Sequence, residues 1–193
     1  MPPKSFWGAR LVLLWLSLFI DMLTTRLTCM QGTAAREWWQ LYEGAFPACE
    51  RRGAAQHAAA LADPAFHCLH LADERAGFCG LLSYWCLGAL CYVEHLAIVP
   101  ERRGQGLGRQ ALALLSRPLI LEIEPVVDAA TARRLAFYES CGLVRLPQHH
   151  VQLAYQAGQP DVPLWLLSCP ALDASAVACF EEAYMAGPMR YRA

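Results

Sequence analysis

Glycines at 104, 106 and 108, flanked by Arg103 and Arg109, follow an extended-type run, Tyr92 to Val99, and lead into a segment with Leu107, Ala111 and Leu114 at helical spacing. That pattern suits anion binding. Glycine lets the backbone come close to a ligand, and the outward N–H groups of such a loop and the first helical turn form a nest for a phosphate or pyrophosphate. Arg103 and Arg109 add charge-assisted contacts. The preceding run also carries Glu94, a carboxylate in an otherwise apolar stretch. It reads either as a base for an amine that arrives as ammonium, or as a structural pair with Arg133 or Arg134. By the period of two, His95 points to the opposite face of the same strand.

Two phosphate-binding patterns compete for the loop, beside the alternative of a turn that binds nothing. The Gly-Lys-Ser/Thr of a P-loop does not follow. The dinucleotide fingerprint matches at Gly106-x-Gly108-x-x-Ala111, with Glu124 at about the offset of twenty residues that it requires. Pro100 to Gln105 nevertheless separate it from its strand, and too little chain remains for a doubly wound sheet. Further along, His149, His150, Gln152 and Tyr155 read as lining for an acceptor pocket or as solvated loop residues. His67 and His70 lack helical ligand spacing, so no metal site is expected. Cys141 is placed to tempt an acyl-enzyme reading, but nothing nearby marks it as activated.

The elements that must position these residues are legible from periodicity and turn chemistry. A first strand is expected within Leu23–Met30. A helix capped by Thr33 carries Trp38, Leu41, Tyr42 and Ala45, and an Ala-rich helix follows over Glu50–Leu61. Three extended stretches, Ala65–Leu71, Phe78–Leu87 and Cys91–Val99, are joined by Asp73-Glu74-Arg75-Ala76-Gly77 and by Gly88 into an antiparallel meander. After the glycine loop and its helix come a strand at Leu119–Ile123 and a helix at Ala129–Cys141, which Gly142 stops. Two strands, Leu143–Tyr155 and Val162–Leu167, and a helix at Ser175–Met185 close the chain. This order makes an α+β, or mixed α/β, sheet in one domain.

Composition sets the outer limits. With 193 residues, 56% hydrophobic and 17% charged, the chain is one large domain rather than a disordered segment. Sixteen Lys+Arg against seventeen Asp+Glu give a formal charge of -1, which provides no basic field for nucleic acid. Nine cysteines without a C-x-x-C pair, several inside apolar runs such as Cys68, Cys79, Cys86 and Cys91, indicate reduced thiols and a cytoplasmic protein. Near the amino terminus, uncharged Leu11 to Ile20 would reach only about 15 Å as a helix, half of an apolar bilayer thickness of roughly 30 Å. The segment 1–21 is an uncleaved anchor or signal, an added amphipathic helix, or a translated extension ahead of a start at Met22; the last is favoured, with 22–193 as the domain.

Two motifs carry a family resemblance. Arg103-Gly104-Gln105-Gly106-Leu107-Gly108 after a strand, then Phe137-Tyr138-Glu139-Ser140-Cys141-Gly142-Leu143 across a helix end, resemble in order and separation the GNAT superfamily of acyl-CoA-dependent N-acyltransferases. The resemblance implies a single GNAT-like domain of about seven strands. These are mostly antiparallel, flanked by helices, and splayed between the fourth and fifth. It implies an acetyl-CoA-dependent N-acetyltransferase with acetyl-CoA as co-substrate and no metal. Backbone amides of 103–108 would hold the CoA pyrophosphate, with Arg109 at the edge. The backbone of Leu96 and Ile98 would pair with the pantetheine arm, and amides near Leu96 would stabilise an oxyanion. Tyr138 would protonate the departing thiolate, its alternative being a core aromatic, and Glu94 would serve as base. Thr131 stands where many members have an asparagine, a departure confined to that side chain's CoA contact. The acceptor would be a small-molecule or peptide amine, or a lysine. A homodimer stays open. The rivals are a catalytically silent acyl-CoA sensor of the same fold and a nicotinamide-dependent oxidoreductase.

Overall fold

The computed structural model describes residues 22–73, 77–116 and 118–193; the expectations for 1–21 and for the turn at 74–76 lie outside them. Among the described residues seven strands form one sheet: β1 (Met22–Arg26), β2 (Phe66–Asp73), β3 (Gly77–Leu87), β4 (Leu90–Ile98), β5 (Leu119–Ile123), β6 (Val144–Gln152) and β7 (Val162–Cys169). Their order is β1-β2-β3-β4-β5-β7-β6. Every pairing is antiparallel except β4 with β5. This arrangement removes the doubly wound alternative, which needs a parallel sheet.

Five α-helices among the described residues cover the two faces: α1 (Gly32–Ala45), α2 (Ala54–Leu61), α3 (Leu107–Ala113), α4 (Ala129–Ser140) and α5 (Ala174–Ala186). Strand alternation divides the core between them. Ile120 of β5 packs with Trp38, Tyr42, Trp85 and Phe180 on the α1, α2 and α5 side. Leu119, Leu121 and Ile123 pack with Leu107, Ala111, Leu112 and Tyr138 on the α3 and α4 side. The Ala-rich segment expected to be helical from Glu50 starts its α-helix at Ala54; Ala48–Glu50 is instead a single 3-10 turn. Gly142 ends α4 with φ +87°, the left-handed C′ conformation that its residue type favours.

The sheet opens at one place. Ser83 pairs with His95 and Tyr84 with Val93, so Glu94 faces no partner on β3 and forms a β-bulge. The extra residue breaks the alternation. Glu94 and His95, expected on opposite faces, both turn to the α1 side, where Glu94 meets Arg52 and His95 meets Tyr42. On its other edge β4 pairs with β5 only through Cys91, Tyr92 and Val93. Beyond the bulge the two strands part.

Glu94 is held there by a buried ion pair. Arg52, between α1 and α2, donates through Nη1 to Oε2 at 2.7 Å and lies 2.7 Å through Nη2 from Oε1. The Tyr155 hydroxyl donates to Oε1 at 2.8 Å, and Arg52 Nη2 also donates to the Pro188 carbonyl at 2.8 Å. The two charged side chains are 0% and 1% exposed, and the guanidinium lies 4.5 Å from the Tyr155 ring centroid. Removing one member strands the other charge away from water, which costs about 3–5 kcal/mol. Arg52→Met should therefore lower the unfolding free energy in urea by about that amount. Adding Glu94→Leu should restore more than half of the loss. A single variant as stable as the wild type would show that the pair does not hold the bulge.

Candidate active site at the parted strands

A cavity of about 760 Å³ occupies the gap between β4 and β5, bounded by the 103–108 loop, α4 and the end of α1. The loop supplies its first wall. Gly104 and Gly106 have φ of +76° and +79°, and a Cβ at either would meet no atom within 4 Å, so the glycines serve backbone shape beside open space. The Gly106 carbonyl accepts from Gln110 N at 3.1 Å, while the N–H groups of Gly104, Gln105 and Gly106 find no acceptor among the described residues. Gly108 has a different task. A Cβ there would stand 3.0 Å from the Phe137 ring, so its size seats α3 against α4.

β4 supplies the second wall. Val99 N–H bonds back to Cys79 of β3 at 3.0 Å, so by alternation the polar backbone groups of Leu96 and Ile98 face the gap. The Ile98 carbonyl already accepts from Arg103 Nε at 3.0 Å, which ties the loop to the strand end. Arg109, expected at the edge of the anion nest, lines the cavity beside the loop and also reaches the end of α4. It donates to the Ser140 carbonyl at 2.6 Å and to Ser140 Oγ at 2.9 Å, where a cation suits the C-terminal end of α4.

α4 forms the third wall. Tyr138 lines the cavity at 8% exposure, and burial pushes its phenol up to about 12, so it stays protonated at neutral pH. Thr131, at the other end of the helix, is engaged in a capping box. Its hydroxyl accepts from the N–H groups of Val127 and Asp128 at 3.0 Å, while Asp128 Oδ1 accepts from Thr131 N at 2.8 Å. Arg134 pairs with Glu124 rather than with Glu94.

For Glu94 the structural alternative prevails, with Arg52 in place of Arg133 or Arg134. Burial alone would raise its carboxyl, but the Arg52 charge overrides this and holds it well below the usual carboxylate range. A carboxylate so stabilised and so enclosed is a poor proton acceptor. No local sequence signal links positions 52 and 94; only the fold brings them together.

Of the acceptor-pocket candidates, Gln152 lines the cavity. His149 is exposed and Tyr155 serves Glu94. His150 bridges Glu122 and Glu181 through Nε2 and Nδ1, the latter at 2.7 Å. Glu122 also accepts from the Tyr92 hydroxyl at 2.6 Å. His70 bonds Glu37 at 2.9 Å and His67 stacks on Tyr84. Among the described residues no three His, Cys, Asp or Glu side chains gather as metal ligands, and no helix is long and apolar enough to cross a membrane. Sequence reasoning missed Glu50 and Glu122, which also line the cavity.

Comparison with known proteins agrees with this architecture. Residues 63–144 match the model of the acetyltransferase (GNAT) domain. YjbC of Bacillus subtilis (strain 168), provisionally named an acetyltransferase, is 36% identical over 64 residues, covering 31% of this chain and 33% of that protein. The match thus spans about a third of the length of that relative. A GNAT-family protein of Bacteroides thetaiotaomicron, also provisionally named an acetyltransferase, superposes with a TM-score of 0.75 at 24% identity, over 86% of this chain and 98% of that one. A spermidine N-acetyltransferase mutant from Vibrio cholerae gives 0.51 at 14% identity, over 77% and 94%. At these identities the likeness of the two solved structures is one of fold.

The His150 bridge makes stability depend on pH. Burial opposes its charge, but hydrogen bonds to Glu122 and Glu181 outweigh burial and raise the imidazole from an ordinary 6.5 to about 9. A base raised in the folded state stabilises while it is protonated: the contribution is complete below about 6.5 and is lost as pH rises through about 9. The melting temperature should therefore fall between pH 7 and pH 9.5, and His150→Gln should flatten that slope. An unchanged slope in the variant would refute the assignment.

Proposed function

We propose, from the match of residues 63–144 to the GNAT acetyltransferase domain, that this chain moves an acetyl group from acetyl-CoA directly to a primary amine of a small molecule, a peptide amino terminus or a lysine. In this reading 22–193 is the catalytic domain, and the protein works in the cytoplasm, alone or as a homodimer. One observation carries the reading: a single cavity is lined both by the glycine loop and by the gap beyond the β4 bulge. It offers an anion nest at one end and, at the other, strand backbone of Leu96 and the Ile98 N–H facing the gap. The residues present fit a nucleotide thioester, because the loop glycines leave open space where side chains would project and successive N–H groups are unpaired.

The thioester supplies an activated acyl carbonyl and a thiolate leaving group. The chain's own residues do the rest. N–H groups of Gly104, Gln105 and Gly106 hold the diphosphate, with Arg103 fastening the loop to β4. Leu96 and Ile98 take the pantetheine arm as an added strand, for which the bulge has turned their backbone toward the gap. An amide near Leu96 stabilises the oxyanion as it develops, and Tyr138 donates a proton to the departing sulfur. Its phenol is protonated at neutral pH, the form that can act as acid.

Thiol release with a panel of amines, together with calorimetry for CoA, tests the proposal. Tyr138→Phe should lower kcat by about 10²-fold with little change in the CoA dissociation constant. Gly106→Val should weaken CoA binding at least tenfold, because a β-branched residue does not adopt a φ of +79° without strain. A wild-type protein that does not bind CoA ends the proposal. Tight CoA binding without turnover on any amine would make it an acyl-CoA sensor instead.

A further inference from the structure

Four carboxylates line the cavity: Glu50, Glu94, Glu122 and Glu124. Three are neutralised by close partners, since Arg52 holds Glu94, His150 and Tyr92 hold Glu122, and Arg134 holds Glu124. Glu50 is different. Its side chain has neither a hydrogen bond nor an ion pair among the described residues, yet it is only partly exposed and belongs to the cavity lining.

The turn that carries it is fixed more firmly than a connection between two helices requires. Four successive carbonyls, residues 48 to 51, each accept a side-chain N–H from across the site. Gln156 Nε2 donates to Ala48 at 3.2 Å and to Arg51 at 2.9 Å, Gln152 Nε2 to Cys49 at 3.2 Å, and His95 Nε2 to Glu50 at 2.9 Å. Inside the turn, Glu50 N bonds the Pro47 carbonyl at 3.0 Å. These donors come from β4, β6 and the segment after β6. The backbone beneath Glu50 is thus locked to the strand that borders the gap, which fixes the point from which its side chain projects.

We propose that Glu50 is the group that takes the proton from the incoming ammonium. The assignment rests on the acetyl-transfer reading above and places the amine between the Ala45–Glu50 wall and the mouth of the β4–β5 gap. The substrate nitrogen sheds two protons in all. The first passes to Glu50 and frees the lone pair. The C–N bond then forms, and the C–S bond breaks as Tyr138 protonates sulfur. The second proton, lost from nitrogen as the adduct collapses, replaces the one Tyr138 gave, and Glu50 returns its own to solvent. The sum is one amide, one thiol and one proton. Burial raises the Glu50 carboxyl above its ordinary range, which improves it as a base. The charges that face it are His95 from β4 and Arg134 from α4, which lower it, and Glu122 from β5, which raises it. On its own segment Arg51 points to Glu43 and the Phe46 carbonyl, and Arg52 to Glu94.

The test compares wild type, Glu50→Gln and Glu50→Asp in kcat and kcat/KM from pH 5.5 to 10 on the best amine, with CoA affinity and melting temperature beside them. In Glu50→Gln, kcat/KM at pH 7 should fall about 10²-fold with kcat falling in step. The rate should then climb with slope one toward alkaline pH, where the amine deprotonates unaided. Glu50→Asp should recover part of the loss, and CoA affinity should stay within twofold. Retention of the wild-type acid limb within threefold in rate would overturn the assignment. So would a rise in KM alone, which means recognition without proton transfer, or a fall in CoA affinity, which means a structural role. A wild-type protein that neither binds CoA nor releases thiol instead brings down the parent reading, and this one with it.

Discussion

A guanidinium and a carboxylate, both sealed from water, fix the geometry on which the site depends. Glu94 occurs where β4 carries one residue more than β3 can pair, and a charge at that point cannot remain in an apolar sheet without an opposite charge against it. Arg52 answers it while also binding the Pro188 carbonyl and lying over Tyr155. One interaction thus joins the connection between two helices, the central strand, the segment after β6 and the turn near the carboxyl end. The bulge turns the backbone of Leu96 and Ile98 to the gap, and the gap is the cavity.

Charge inside the cavity is arranged by enclosure. Carboxylates that face cations stay ionised and inert, as Glu94 does beside Arg52. A buried phenol keeps its proton, as Tyr138 does, where burial outweighs the charge of Arg134. The Glu122, His150 and Glu181 bridge holds a third position by sharing one imidazolium between two acids. What remains is a loop of unpaired N–H groups at one end and a single unmatched carboxylate at the other. Groups whose environments push their proton affinities apart are suited to move protons in opposite directions.

Much of this was legible in local patterns. The meander, the strand at Leu119–Ile123, the α4 stop at Gly142 and the glycine loop leading into a helix all follow from periodicity and residue type. Side-chain assignments fared less evenly wherever they needed a distant partner. Arg109 lines the cavity but also caps α4, and Thr131 is taken into a capping box. His95 changed faces because one extra residue resets a period of two. Glu50 drew no notice, since a lone acid beside a 3-10 turn looks like any solvated connection until its clamps from Gln152, Gln156 and His95 are in view.

The sequence by itself determined the order of elements, the apolar faces they bury and the glycine loop, because these depend on residues within a few positions of one another. Tertiary structure alone decided which carboxylate would be silenced and which left reactive. Proton affinity is set by the charges and the water around a group, and those are supplied here by residues dozens of positions away.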